Sequence, residues 1–266
     1  MRPLVTLSAI SFALLGAVSA SAQVASRPSP NYWEAAPRRT FVAGVVGGGA
    51  SAYAELNVGY GRPFWSWFGF QGWLLATTQA VMGGPSLKLN LPLVNVTLGQ
   101  RITRSYWRGT LPVAEHFTDR ELDEHDAASA YGSWDAEVNA FLPLPHLLLS
   151  PSLVVHYLPG RAEPQRLYEE LQRVIFAPPW LGAAKLLALF TWGSQRRYRV
   201  GALGELFVTG REQTTTRLGP AFSVMISPHL EVRGFLTLPI STPDSLNWFD
   251  ASGASLTLRY RRASGD

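Results

Sequence analysis

Four residues near the middle of the chain have side chains suited to nucleophilic chemistry: His146, Ser150, Ser152 and His156 fall on alternate positions of one segment. A serine becomes a useful nucleophile when an imidazole takes its proton and an acid orients that imidazole. No acidic orienter is evident from the spacing, and no G-x-S-x-G occurs in the chain. A second cluster lies between Thr110 and Ala127, where Glu115, Asp119, Glu121, Asp123, Glu124 and Asp126 accompany His116 and His125. Carboxylates and imidazoles can hold a divalent cation, but this spacing matches no calcium-loop pattern. The segment therefore reads as a solvated loop, with no metal and no cofactor assigned. Gly44 and Gly47-Gly48-Gly49 have the glycine density of a dinucleotide turn. Such a turn must open a helix, whereas the residues that follow alternate as a strand, so a tight hairpin turn is expected there.

The most extensive pattern is one of charge. Glu55, Lys88, Arg101, Asp135, Glu137, Arg199, Glu205, Arg217, Glu231, Arg233 and Arg259 all stand on the polar phase of alternating segments. Side chains of this kind either line a polar lumen that sorts solutes by charge or fill a narrow interior with ion pairs.

Positioning such side chains requires strands. The 266 residues are 47% hydrophobic and 16% charged, with nine tryptophans, no cysteine and a net charge of +4. The absence of cysteine excludes disulfides, thiolate metal sites and cysteine nucleophiles. The basic residues are scattered rather than gathered on one face, which argues against nucleic acid as a partner. Arg2, the apolar run Leu4 to Val18 and Ala20-Ser21-Ala22 read as a secretory signal peptide over 1–22. Residues 23–39 read as a polar periplasmic lead-in. Beyond the leader, the most apolar stretch, Leu181 to Trp192, is too short to cross a bilayer as a helix and contains Lys185.

From Thr40 the chain alternates with period two between turns of Gly, Pro and Ser. Ala54, Leu56, Val58 and Tyr60 oppose Glu55, Asn57 and Gly59; Trp134, Ala136, Val138 and Ala140 oppose Asp135, Glu137 and Asn139. About twelve strands are expected, near 40–48, 50–62, 66–80, 86–91, 93–107, 128–142, 146–158, 183–192, 196–209, 213–227, 229–241 and 252–262. Short connections alternate with longer ones at 108–127, 159–182 and 242–251. Aromatics gather at segment ends, where Tyr60, Trp65, Trp67, Trp107, Tyr157, Trp192, Tyr198, Trp248 and Tyr260 suit the two interfaces of a membrane. Within the second long connection, Pro164 to Phe176 reads as a short helix, with Leu167, Leu171, Val174 and Ile175 on one stripe. It is expected to cover its own stripe as an outer loop, or else to enter the lumen as a plug.

The cleaved leader, the amphipathic strands and the last of them, Gly253-Ala254-Ser255-Leu256-Thr257-Leu258-Arg259-Tyr260, together resemble bacterial outer-membrane β-barrel proteins. The last strand looks like the assembly signal of that class, although Arg261 to Asp266 follow its aromatic. The resemblance implies a single all-β domain over 40–262, an antiparallel transmembrane β-barrel, with 263–266 as a tail. It also implies outer-membrane lipid and the barrel-assembly machinery as partners. The function expected is a narrow passive pore for small polar solutes or a closed scaffold. A lipid-modifying enzyme and a soluble periplasmic β-sandwich that binds a ligand are the alternatives.

Overall fold

The computed structural model describes residues 30–49, 51–106, 110–124, 128–159, 165–211, 214–247 and 251–264. The expected signal segment lies outside them. The strands are β1 (Arg39–Gly49), β2 (Ala52–Arg62), β3 (Ser66–Ala76), β4 (Ala80–Asn90), β5 (Val94–Ser105), β6 (Thr110–Leu111), β7 (Ser129–Ala140) and β8 (Leu142–Pro143). They continue with β9 (Leu147–Tyr157), β10 (Arg166–Glu169), β11 (Val174–Phe176), β12 (Trp180–Trp192), β13 (Tyr198–Val208), β14 (Thr214–Met225), β15 (Leu230–Ser241) and β16 (Gly253–Ala263).

Twelve of these, β1–β5, β7, β9 and β12–β16, pair antiparallel in a closed ring, in which β9 meets β12 and β16 meets β1. Closure leaves the ring without an unpaired edge. The ring exists because large apolar and small or polar residues alternate with the pleat. Along β2, Leu56, Val58 and Tyr60 are exposed while Glu55 and Asn57 are buried. Along β3, Phe68 and Phe70 are exposed while Trp67 and Gln71 are buried. The same division recurs around the wall: Ile102 at 69% exposure and Leu256 at 59% point out, and Arg101 at 1% and Glu231 at 0% point in. A water-soluble sandwich would have the opposite arrangement. An apolar outer face around a polar interior is the architecture of a membrane barrel.

The first and last described residues and the connections 63–65, 91–93, 141–146, 193–197 and 226–229 lie at one end, called here the terminal end. The described parts of the long connections 106–128, 158–179 and 242–252 lie at the other, the loop end. In the first of these, Asp119–Glu124 forms a short helix.

Two local expectations are corrected. Gly47 to Gly49 do not turn; they end β1, Gly47 and Gly48 paired with both β2 and β16 and Gly49 with β16. A Cβ on Gly49 would lie 2.1 Å from the carbonyl oxygen of Leu256, so glycine here permits close strand approach rather than a turn. β4 starts at Ala80 rather than 86, because the turn is at Thr77, whose Oγ1 accepts from the backbone N–H groups of Gln79 (3.1 Å) and Ala80 (2.9 Å). Pro85, which lacks an N–H, falls where the pairing with β5 is interrupted between Gly83↔Ile102 and Ser86↔Gly99 without a change of register.

Candidate functional site

At the loop end the chain leaves β9 and turns back into the ring. β10 and β11 form a hairpin, with Leu167 opposite Phe176, Tyr168 opposite Ile175 and Glu169 opposite Val174. Every residue from Leu167 to Pro178 is buried. The helix expected over Pro164 to Phe176 is therefore absent among the described residues, from which Pro164 itself is excluded. The reason is that the four stripe residues fit a period of two once the chain reverses. Leu167, Val174 and Phe176 pack on the inner wall with Tyr131, Val154, Leu181 and Phe207. Tyr168 and Ile175, on the opposite face, pack with Leu111, Phe117 and Leu122 of the first long connection. Leu171, at the tip, reaches Leu75, Ala80 and Met82. The reversal is fixed by Glu169, whose carboxylate accepts from the N–H of Gln172 (2.6 Å), and by Arg173, which adopts a left-handed φ of 52°.

Charged side chains of the wall hold this hairpin. Arg101 on β5 places Nη1 2.7 Å from Glu169 and Nε 3.1 Å from Asp135 on β7. Lys185 on β12 donates to Gln172 Oε1 (2.8 Å) and lies 3.0 Å from Glu205 on β13. Arg217 on β14 donates to the carbonyls of Gln172 (2.6 Å) and Arg173 (2.7 Å), with Glu205 3.8 Å away and the Phe207 ring under its guanidinium at 4.8 Å. Thr237 donates to Glu205 (2.8 Å). Three wall strands, β5, β12 and β14, thus reach one inserted turn, and β7, β13 and β15 support their charged groups. In a water-poor interior such charges persist only with this degree of pairing.

His156 is inside this network. Its Nδ1 carries a proton to Asp135 Oδ1 at 2.8 Å, since a carboxylate can only accept. An acidic orienter therefore exists, although spacing did not reveal it: Asp135 and His156 are register partners on β7 and β9. A catalytic triad is not formed. His156 Nδ1 bonds Asp135, with Arg101 Nη2 standing 3.4 Å away, and not serine; Ser152 and Ser150 are buried two and three pleats further along β9; and His146 is exposed in a turn, stacked on Phe190. Below the hairpin tip a cavity of about 80 Å³ is bordered by Trp73, Glu137, Ser152, His156, Leu171 and Gln172. Glu137 accepts from Asn139 Nδ2 (2.7 Å).

Toward the terminal end the interior becomes basic. Glu55 accepts from Tyr53 (2.5 Å) and Asn57 (2.7 Å), and faces Lys88 at 3.6 Å and Arg259 at 3.8 Å. Glu231 accepts from Ser223 (2.6 Å) and is paired with Arg261. Arg199, Arg233 and Arg259 act on the same carboxylate. Between this cluster and the hairpin the wall is apolar, formed by Leu148, Leu187, Leu189, Leu203 and Ala221 with Phe235.

The terminal end is itself filled. In the segment expected to be a polar lead-in, Pro30–Ala35 forms one helical turn that buries Trp33 completely. Trp33 donates Nε1–H to the carbonyl of Pro228 (3.2 Å) and meets Phe64 edge-on at 4.7 Å. Around it lie Phe41, Ala43, Trp65, Trp67 and Ala263. Trp65 and Trp67, expected at a lipid interface, are instead 8% and 4% exposed inside the ring. Both follow the turn at Pro63, and their inward phase delivers them to Trp33. Tyr60, Trp192, Tyr198 and Tyr260 are exposed on the outer surface near the terminal end, with Trp192 and Tyr198 stacked at 5.9 Å. Tyr157, partly buried, packs on Trp180 near the loop end at 4.4 Å. Trp107 and Trp248 lie outside the described residues.

Several participants escaped the sequence reading. Lys185 was visible as a lone lysine in an apolar run, and Arg261 as the in-phase successor of Arg259. Glu169, Gln172 and Trp33 offered no such signal, because their position depends on where the chain reverses. Three carboxylates of the first long connection have nearby partners: Glu121 accepts from Thr118, Arg120 pairs with Glu124, and Asp119 accepts from the N–H of Asn247 in the third long connection.

No known family profile matches the chain, and no curated protein sequence does. Among solved structures, a NanC porin aligns with TM-score 0.37 and 10% identity over 85% of this chain and 98% of that one. OmpT, an outer membrane protein of Vibrio cholerae, aligns with TM-score 0.34 and 8% identity over 85% and 99%. A mutant of the Rh. blastica porin aligns with TM-score 0.28 and 8% identity over 85% and 100%. The assignment of the chain as a closed membrane-type barrel rests on its own strand pairing and inverted polarity.

Proposed function

We propose that this chain is an outer-membrane barrel that works as a narrow pore for small polar solutes and is held shut by segments outside its strand wall. The terminal end faces the periplasm in this reading, since short turns lie there and long connections lie opposite. One observation carries the pore over the scaffold. What fills the loop end is an inserted hairpin joined to the wall by side-chain contacts, and not a wall side chain that would have to leave its strand. Displacing residues 166–176 would remove this filling without breaking a single wall pairing. A closed scaffold is the second reading, and the complete burial of Trp33 at the opposite end favours it.

The test is planar-bilayer conductance of the purified full-length protein in detergent. Wild type should be silent or open rarely. Replacement of 166–176 by a Gly-Ser linker, alone and with Trp33→Ala, should give a steady conductance. A correctly folded double variant that passes no current would end the pore reading and leave the scaffold. Membrane fractionation checks the location: recovery in the soluble periplasmic fraction would sink the barrel's membrane role as well.

A further inference from the structure

The cavity below the hairpin tip is bordered by two cations that are committed to partners and by two acceptors with capacity to spare. Arg101 lies between Asp135 and Glu169, and Lys185 between Glu205 and Gln172. Glu137 on β7 accepts from Asn139 Nδ2 but stands in no ion pair among the described residues. His156 on β9, 4% exposed, gives its Nδ1 proton to Asp135. In the neutral ring Nε2 then keeps a lone pair, and no described group donates to it. The register brings these two acceptors together. Asp135 faces His156 across the two strands and Glu137 faces Val154, so Glu137 and His156 are diagonal neighbours on the inner face, with backbones roughly 7–8 Å apart. One small molecule can reach both. Val154 and Leu171 border the same space with carbon. Gln71, whose Nε2 donor is also unpartnered, borders it from β3, four strands around the ring from β9.

The volume limits what can enter. The cavity measures about 80 Å³. Since a cavity of about 150 Å³ holds benzene, this one has room for roughly three or four heavy atoms. We infer that it is a binding site for a small nitrogen cation of that size, which donates N–H groups to the Glu137 carboxylate and to His156 Nε2. A carboxylate without an ion pair, in a space poor in water, favours a cation over a neutral molecule of the same shape. A bare imidazole nitrogen favours an N–H donor over an alkali ion.

The experiment is isothermal titration calorimetry of the purified full-length protein in detergent, at constant ionic strength. Guanidinium and methylammonium are the cations tested, and urea and potassium the controls. Urea has the four heavy atoms of guanidinium without the charge, and potassium has the charge without the N–H groups. Guanidinium or methylammonium should saturate at on the order of 1 mM, far below denaturing concentrations, and urea and potassium should give no saturable heat. Glu137→Gln still accepts from Asn139 and should keep the fold, checked by circular dichroism, but weaken the cation by about tenfold or more. Glu137→Asp retains the charge and should weaken it less, an order that a merely structural role of Glu137 would not produce. Saturable binding of urea or potassium as strong as that of the cations, no binding of either cation, or a folded Glu137→Gln that binds like wild type would each overturn the site. Because the readout needs no current, a barrel that binds guanidinium but never conducts refutes the pore alone, and one that conducts without binding refutes the site alone.

Discussion

At the loop end the barrel holds a hairpin fastened by charged side chains, and at the terminal end an aromatic cluster. The hairpin is fastened by Arg101, Lys185 and Arg217, each reaching from a different strand to the turn at Glu169–Arg173. The opposite end is filled by Trp33 against Phe41, Phe64, Trp65 and Trp67, with one hydrogen bond to Pro228. The difference is one of directionality. Ion pairs and hydrogen bonds specify a single pose and fail sharply when one partner is removed, because a buried charge is then left alone. Aromatic packing is less directional and fails in proportion to the volume lost. The loop-end hairpin thus has the properties of a latch, and the terminal-end cluster those of a filled core.

Substitutions can break this contrast, and the largest effect is expected at Arg101. Arg101→Leu leaves Asp135 and Glu169 facing each other without their shared cation, and should cost about 3–5 kcal/mol, read as a lower melting temperature of the folded band. Trp33→Ala should cost roughly 3–5 kcal/mol by cavity formation, but Trp33→Phe much less, so the terminal end should show a graded series that Arg101 does not. Glu169→Leu should cost less than Arg101→Leu, about 1–3 kcal/mol, since Arg101 keeps Asp135; limited proteolysis should nevertheless detect a loosened hairpin. Equal losses for Arg101→Leu and Glu169→Leu would show that the latch is not built around one cation. The smallest effect belongs to Arg120→Ala, within about 0.5 kcal/mol, because its pair with Glu124 on the short helix is 87% and 53% exposed.

The wall was legible and the two end fillings were not, for one physical reason. Along a barrel strand each residue's side is set by its immediate neighbours, so Glu55, Asp135 or Glu231 announces its face through local alternation. An end filling is defined by tertiary return. Leu167, Leu171, Val174 and Ile175 satisfy a helical spacing as well as a hairpin's, and only packing against Tyr131 and Phe207 on one side and Phe117 and Leu122 on the other selects the hairpin. Trp65 and Trp67 sit at a strand end, where an aromatic serves equally well in lipid or against another aromatic; Trp33 decides it. The pairing of Asp135 with His156 needed the register between β7 and β9, which no spacing within one segment encodes.

The seam between β1 and β16 has a consequence for how the protein comes into being. Ala43 to Gly49 pair with Ala263 to Thr257, residues more than two hundred positions apart. Contacts this distant are the slowest to form, because the whole intervening chain must be ordered before they repay the lost entropy. Until they form, the first and last strands are both bare edges, open to a neighbouring chain. Ring closure is therefore expected to be the late, committing step of folding. Gly49, whose lack of a side chain lets Leu256 come close, would then act on the rate at which barrels are completed as much as on the stability of the finished ones.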